Sequence, residues 1–425
     1  MAEHTSATNV PNVTGAADVA HVTNVVVIGG GYAGVMAANR LTQRDDVTVT
    51  VINPRRSFVP RLRLHQLVAG THEAVVDYAT VLADGVRLRV DTVDRIDAAG
   101  RGVTLASGDT LAYDYLIYAA GSGSTVPQVP GAAAFAYPID TLETARRLRA
   151  VLEDTPLSSP VTVVGGGPTG IETAAELAER GRGVTLACGG ALGPYLHPRA
   201  RRTAAKRLAE LGVTVLEGPG TKVTAVTADA VQLADGRRLD AHVTVWSTGF
   251  GVPDLAARSG LSTDAVGRLL TDETLTSVDD ERILAAGDSA APSDLPFRMG
   301  AYGAGCLGAH AADTVLARLA GQRPERVKLS FPAMCVSLGR RTAIFQLAHK
   351  DDTAMRLYVP GRAGAKLKEF SCEASVKHLV HEAAKPGSHR WPTNDAHRRA
   401  QLAERGGTPD APVQAVVKAA AGHTA

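Results

Sequence analysis

Hydrophobic and polar positions along the chain fall into a recurring alternation. A short apolar run, Val25-Val26-Val27-Ile28, precedes a glycine cluster, and apolar residues then recur at helical spacing from Val35 to Leu41. A second apolar run, Val47 to Ile52, ends at Asn53-Pro54. Strand, turn, helix and strand in that order predict a βαβ unit, because parallel strands need a helical crossover. The succession returns at Val161 to Val164, Gly165 to Gly170, an Ala- and Glu-rich helix through Arg180, and a strand from Gly183 to Ala187. Gly29 and Gly165 are 136 positions apart, so the repeat predicts two nucleotide-type domains rather than a solenoid.

Shorter strands are predicted between the two copies, at Val86 to Val90 and Val103 to Leu105, leading to Tyr113-Asp114-Tyr115-Leu116-Ile117-Tyr118-Ala119-Ala120-Gly121-Ser122. Val243 to Gly249 and Ile283 to Asp288 read as further strands. Phe331 to Ala348 and Met355 to Val359 do so again near the end. Residues 1–23 lack periodicity and read as a mobile tail; the polar, Ala-rich stretch after Trp391 reads as disordered or loosely helical.

Composition narrows the function. Of 425 residues, 45% are hydrophobic and 21% charged, enough to bury a sizeable core. A net charge of +2 and an aromatic content of 4% argue against a nucleic-acid partner. Cys188, Cys306, Cys335 and Cys372 are widely separated, with no CxxC and no metal-ligand spacing, which fits reduced thiols in a cytoplasmic protein. The N-terminal stretch has neither a basic region nor an apolar core. The longest apolar candidate, Val25 to Ala38, is broken by four glycines, so no integral membrane segment is expected.

The candidate chemistry sits in the glycines. Gly29-Gly30-Gly31-Tyr32-Ala33-Gly34 fits GxGxxG directly after a strand and opens a helix. The first glycine permits the tight turn, the second lets backbone approach a pyrophosphate, and the third lets helix and strand pack closely. Gly165, Gly167 and Gly170 repeat the device. One such motif is weak evidence; two in the correct context point to dinucleotides. The acid expected at the end of each second strand is missing, replaced by Asn53 and Cys188. Asn53 can accept from a ribose hydroxyl through its amide oxygen. Without an acid nothing repels a 2′-phosphate, and Arg199, Arg201 and Arg202 follow. The donor is therefore open between NADH and NADPH, with a lean toward NADPH or both.

GGGYAG, YDYLIYAAGS, GGGPTGIE, WSTGF and AAGDSA occur here in the order found in two-dinucleotide-binding-domain flavoproteins of the pyridine nucleotide-disulfide oxidoreductase superfamily. Within that group the chain resembles type II NADH dehydrogenases and apoptosis-inducing-factor-like oxidoreductases. The resemblance covers roughly residues 24 to 391. It implies an α/β fold with two Rossmann-like dinucleotide-binding domains: an FAD domain at 24–140 and 265–325, split by an NAD(P)H domain at 141–264. A small C-terminal α+β interface domain follows at 326–391, and 392–425 is a polar tail. The resemblance assigns Gly29, Gly31 and Gly34 to the FAD pyrophosphate. Ala119 to Ser122, with Ala120 and Gly121, lies beside the FAD nucleotide, and Asp288 bonds the ribityl chain. Gly165, Gly167 and Gly170 cradle NAD(P)H, and Gly249 of WSTGF joins the cofactor-binding set. Glu172 stands beside flavin and nicotinamide, and His65, with Gln66, recurs near the flavin.

The mechanism implied follows from what is missing. No cysteine precedes Cys188, so the CxxxxC of the disulfide reductases is absent, as is the FxGxxxHxxxW of Baeyer–Villiger monooxygenases. Hydride from NAD(P)H then passes through FAD to a small diffusible acceptor, quinone-like by default. Where respiratory relatives carry glutamine, Tyr302 stands in a glycine-rich stretch, Arg298 to Gly308, that leaves room for a different acceptor. Glu172, Tyr302 and His65 are the catalytic candidates. Two alternatives remain: a dedicated tailoring oxidoreductase acting on a pathway metabolite, and an NAD(P)H-sensing flavoprotein with little turnover. Residues 411–425 lack Trp and Phe and make a poor membrane anchor, leaving at most weak peripheral association. A homodimer is compatible with all three readings.

Overall fold

The computed structural model describes residues 22–124 and 127–406. The expected N-terminal tail lies outside the described residues up to position 21, and the far C-terminus from 407 onward. The chain runs β1 (Thr23–Ile28), α1 (Tyr32–Leu41), β2 (Val47–Asn53), the short helix α2 (Leu64–Val68), β3 (Arg87–Val90) and β4 (Tyr115–Tyr118). It continues through β5 (Ala136–Pro138), α3 (Leu142–Asp154), β6 (Val161–Val164), α4 (Pro168–Glu179), β7 (Val184–Ala187), α5 (Pro198–Glu210), β8 (Thr214–Leu216) and β9 (Val243–Trp246). Then come β10 (Ile283–Ala285), α6 (Ala301–Leu319), β11 (Ala333–Ser337), β12 (Ala343–Ala348), β13 (Ala354–Pro360), α7 (Gly361–Ala384) and α8 (Ala396–Glu404).

Two five-stranded parallel sheets carry the architecture, in the orders β10-β4-β1-β2-β3 and β5-β9-β6-β7-β8. In each, the strand before the glycine loop is central and its βαβ partner lies beside it: Ile28 pairs with Ile52, Val164 with Ala187. β6 is buried along its whole length, as strands covered on both faces must be. These are two Rossmann-type halves.

Sheet membership marks where one half gives way to the other. Ala136–Pro138 already pairs with β9 of the second sheet, while Leu255, Ala256 and Leu261 pack with Ile96 and Leu116 in the first unit's core. The crossings meet in a small antiparallel pair, Gly123–Ser124 against Phe250–Gly251. The first unit therefore resumes before residue 265.

The C-terminal part forms an antiparallel sheet, β11-β12-β13, backed by α7. It is welded to both halves: Val336, Leu338 and Ile344 share a core with α4 and α2, and Leu379 of α7 packs against Val35 and Met36 of α1. α7 was not expected from the pattern. It holds close to the sheet because Gly364 has no side chain; a Cβ there would stand 2.4 Å from the Ala343 carbonyl oxygen. Of the two expectations for the segment after Trp391, disordered or loosely helical, the helical one holds at Ala396–Glu404. Arg398 on α8 forms a two-pronged pair with Glu273 at 2.8 Å and stacks over Phe297, docking the helix on the first unit. No helix among the described residues is long and apolar enough to cross a membrane.

Candidate functional site

The two glycine loops repeat one construction at the carboxyl ends of β1 and β6. A Cβ on Gly34 would lie 1.8 Å from the Gly29 carbonyl oxygen, and one on Gly170 would lie 1.9 Å from that of Gly165. Gly29 (φ 103°) and Gly165 (φ 120°) occupy the left-handed turn that glycine favours. Nothing stands within 4 Å of the Cβ position on Gly31 or Gly167. These two are the N-cap residues of α1 and α4, and neither helix start is closed by a side-chain cap. Each loop thus presents free helix N-terminal N–H groups to an open approach, which fits a dinucleotide pyrophosphate at both places.

The strand-end residues have partners within the protein. The amide oxygen of Asn53 accepts from Gly30 N at 3.1 Å, and its amide nitrogen donates to Arg55 O at 2.9 Å. Asn53 therefore tethers the first loop, assisted by the Tyr78 hydroxyl donating to Gly30 O at 2.7 Å. Cys188 lies against Gly166, and burial pushes its thiol up to about 12.

Between the loops the two units meet. Ser122 donates to Asp288 Oδ2 at 2.7 Å and Gly300 N donates to Oδ1 at 3.0 Å, so Asp288 ties the AAGS segment to the start of α6. Arg61 donates to the Ser122 carbonyl at 2.9 Å, and Gly121 N to Ser289 Oγ at 3.3 Å. Ala120 precedes this knot on the strand-end turn. Gly249, with φ 74°, bends the crossing segment after β9.

Arg61 leads into α2, which brings His65 to Glu172 in the early part of α4. His65 Nδ1 stands 3.5 Å from Glu172 Oε2, and Lys368 on α7 donates to Oε1 at 2.8 Å. The same oxygen accepts from Ser337 N at 3.0 Å. Burial alone would raise the Glu172 carboxyl; Lys368, His65 and these hydrogen bonds outweigh it and hold it below the usual range. Burial would likewise lower Lys368, but Glu172 keeps its ammonium raised, so the pair is an ion pair. Burial drives His65 down to about 4, with Lys368, Arg340 and Arg63 adding to the effect against the pull of Glu172, so its ring is neutral at pH 7.

Tyr302 makes its contacts elsewhere. It is 36% exposed in the first turn of α6, its hydroxyl donates to Ser330 O at 3.3 Å, and its ring meets Phe331 edge-on. Cys306, one turn on, is a buried thiol that desolvation pushes up to about 12, which argues against a reactive thiolate. Sequence reasoning had not found Lys368, Arg61 or Glu176. Lys368 resembles its solvent-facing neighbours Lys366 and Lys377. For Glu176 a signal existed, since Glu172, Glu176 and Glu179 fall at i, i+4 and i+7 on one helical face.

An NADH dehydrogenase-like protein of Mycobacterium tuberculosis is 34% identical over 295 residues, covering 64% of this chain and 73% of the relative. The type II NADH:quinone oxidoreductase Ndh of the same species is 30% identical over 345 residues, covering 71% and 73%. In three dimensions the chain is similar to NDH2 of Plasmodium falciparum, with a TM-score of 0.72 at 16% identity over 87% of this chain and 99% of that one. The sulfide:quinone oxidoreductase of Aquifex aeolicus follows at 0.71, 21% identity, 86% and 93%. At these identities the structural likeness speaks for the fold alone. The family described as pyridine nucleotide-disulphide oxidoreductase matches residues 23–313, and the chain is an oxidoreductase belonging to that family.

Proposed function

We propose that the protein is a flavin-dependent NADH dehydrogenase that passes electrons to a quinone-like acceptor without a redox disulfide. The observation that carries this reading is the junction itself. The helix that opens at the second dinucleotide-shaped loop carries Glu172 into a buried group with Lys368 and His65, the latter on a helix of the first unit, and no cysteine precedes Cys188. FAD, held by Gly29, Gly31, Gly34, Ala120, Gly121 and Asp288, supplies two-electron chemistry between donor and acceptor. Gly165, Gly167 and Gly170 seat NADH, the nucleotide in the relatives' names. The first unit is residues 24–140 and 265–325 with the short stretch before 265 added, and the second is the insertion between them.

The chain's own residues orient and hold a proton. Asp288 locks the AAGS turn to the α6 start, fixing the wall between the units. Glu172 and Lys368 hold a charged hydrogen bond at a dry position, with the proton on Lys368 Nζ. Neutral His65 packs beside them as a polar wall that repels neither anion nor cation.

A second reading, a dedicated acceptor other than a simple quinone, draws on a groove of about 310 Å³ lined by Leu196, Arg298, Met334, Gln346 and Asp352. Arg298 and Asp352 pair across it at 3.1 Å. Anaerobic stopped-flow separates the readings: NADH should bleach the flavin within the dead time to seconds, and a water-soluble quinone should restore it as fast. Bleaching with slow recovery by simple quinones favours the dedicated acceptor. No bleaching by NADH sinks both.

A further inference from the structure

The second unit has no acid at the end of β7, the place from which a Rossmann-type sheet usually meets the adenosine ribose. Cys188 stands there, with its side chain turned under the glycine loop: a Cβ on Gly166 would lie 2.9 Å from Cys188 Cβ and 3.0 Å from its Sγ. The neighbouring strand, however, does end in an acid. Ala187 pairs with Leu216, so Glu217, the first residue after β8, comes out beside Cys188 at the same carboxyl edge of the sheet. After burial, the charge of Glu217 is the other influence that raises the Cys188 thiol, as a carboxylate close to that strand end would do.

Backbone bonds fix this arrangement. Cys188 N donates to Leu216 O at 2.9 Å and Gly218 N to Gly190 O at 2.8 Å, which laces the two strand-end loops together on either side of Glu217. Gly189 N adds a bond to Thr221 Oγ1 at 3.1 Å. Glu217 Oε1 accepts from Leu192 N at 2.8 Å, and the next residue, Gly193, donates to the Gly166 carbonyl at 2.7 Å. The loop after β7 therefore runs from the Glu217 carboxylate straight back to the glycine turn. Glu217 is exposed, and a carboxylate has acceptor capacity well beyond one bond.

The cations nearby are less well placed. The helix bearing Arg199, Arg201 and Arg202 is anchored on the C-terminal sheet, where His197 N donates to Gln346 Oε1 at 3.2 Å and Thr203 Oγ1 lies 2.9 Å from the Tyr358 hydroxyl. Lys222 lays its stem against Gly189, where an added Cβ would stand 3.7 Å from Lys222 Cβ. It is the one competitor that the strand-end geometry offers.

We propose that Glu217 selects NADH over NADPH, replacing from the neighbouring strand the acid that β7 lacks. The proposal rests on the NADH dehydrogenase reading and names how that site chooses its nucleotide. A carboxylate accepts from a ribose hydroxyl with charge assistance and repels a phosphate at the 2′ position, so one group supplies both the attraction and the exclusion. The choice then runs against the lean toward NADPH drawn from Cys188 and the arginines.

The test is calorimetric titration of the full-length, FAD-loaded protein with ADP-ribose and with its 2′-phosphate, which reads the site without electron transfer. Glu217→Gln keeps an oxygen for Leu192 N and removes only the charge. The wild type should bind ADP-ribose about tenfold more tightly than the 2′-phosphate, and Glu217→Gln should bring the ratio close to one, chiefly by tightening the phosphate. Glu217→Arg should invert the preference. Equal weakening of both ligands in Glu217→Gln, as a mere loop brace would give, overturns the assignment, as does an unchanged ratio. A larger change in the ratio from Lys222→Ala than from Glu217→Gln overturns it in favour of the lysine. Flavin bleaching by NADH and NADPH is followed in parallel. Discrimination in the calorimeter with bleaching by neither nucleotide keeps the role of Glu217 and sinks the dehydrogenase reading.

Discussion

The two glycine loops share a backbone and differ in what holds them. In the first, Asn53 and Tyr78 grip Gly30 from both its N–H and its carbonyl, and all ten residues of α1 are buried beneath α6 and α7. In the second, the equivalent strand end is Cys188, whose thiol makes no such bond; the Gly166 carbonyl accepts from the backbone Gly193 N at 2.7 Å, and α4 turns three acids toward a charged seam. The same βαβ device thus appears once gripped by two side chains and once held by backbone at its carbonyl. The difference suits a group that stays bound in the first unit and a nucleotide that comes and goes in the second.

The largest expected effect comes from filling the closest approaches. Gly34→Ala drives a methyl into the Gly29 carbonyl and should cost about 3 kcal/mol, giving colourless or unfolded protein. Gly170→Ala makes the matching clash in the second loop, yet the protein should purify yellow and resist bleaching by NADH. Flavin content and bleaching, measured for both, break the comparison if Gly34→Ala retains flavin or Gly170→Ala loses it.

Next is the buried pair beside the second loop. Glu172→Gln leaves the Lys368 ammonium buried without its counter-charge, for a loss of about 3 kcal/mol in urea unfolding. Glu172→Leu with Lys368→Met removes both charges and should regain most of that stability but not quinone turnover. A double variant as unstable as the single would show that the pair's hydrogen bonds, not its charge, hold α4 to α7.

The glycine loops were legible because their chemistry is local: a strand, a tight turn and a helix start lie within a dozen residues. The Rossmann-type halves followed for the same reason. Lys368 was not legible, because α7 shows no clean amphipathic stripe and the helix reaches Glu172 only through its packing on β12 at Gly364. The bond from Gly30 N to Asn53 was not legible, since the nearness of Gly30 N to the strand end is set by the turn in three dimensions. The docking of residues 396–404 was not legible because the partners of Arg398, the Glu273 carboxylate and the carbonyls of Pro292 and Leu295, lie more than a hundred positions away.

A pH effect on stability comes next in size. Glu176 titrates near 7 folded and near its ordinary carboxylate value unfolded, so the folded state holds more protons between those values. Stability therefore falls as pH rises through that window and levels off above about 7. Glu176→Gln removes the loss, and should stabilise the protein by about 2 kcal/mol at pH 8 and hardly at all below pH 4.5. Thermal unfolding at both ends of the range decides it; equal shifts at both would mean that the carboxyl is already ionised throughout.

The smallest effect bears most directly on the comparison. Asn53→Ala leaves Gly30 N buried without its acceptor, a loss of about 1 kcal/mol, whereas Cys188→Ala removes no hydrogen bond from the second loop. The first should lower the temperature at which flavin fluorescence is released by several degrees more than it lowers global unfolding, because the tether acts on the loop and not on the sheet. The second should leave flavin release and the Kd for NADH within twofold of wild type. Were Cys188→Ala to weaken NADH binding as much as Asn53→Ala weakens flavin retention, the second loop would be gripped by its strand-end side chain as well. The contrast between a holding site and an exchanging one would then have to come from the surfaces that cover the loops.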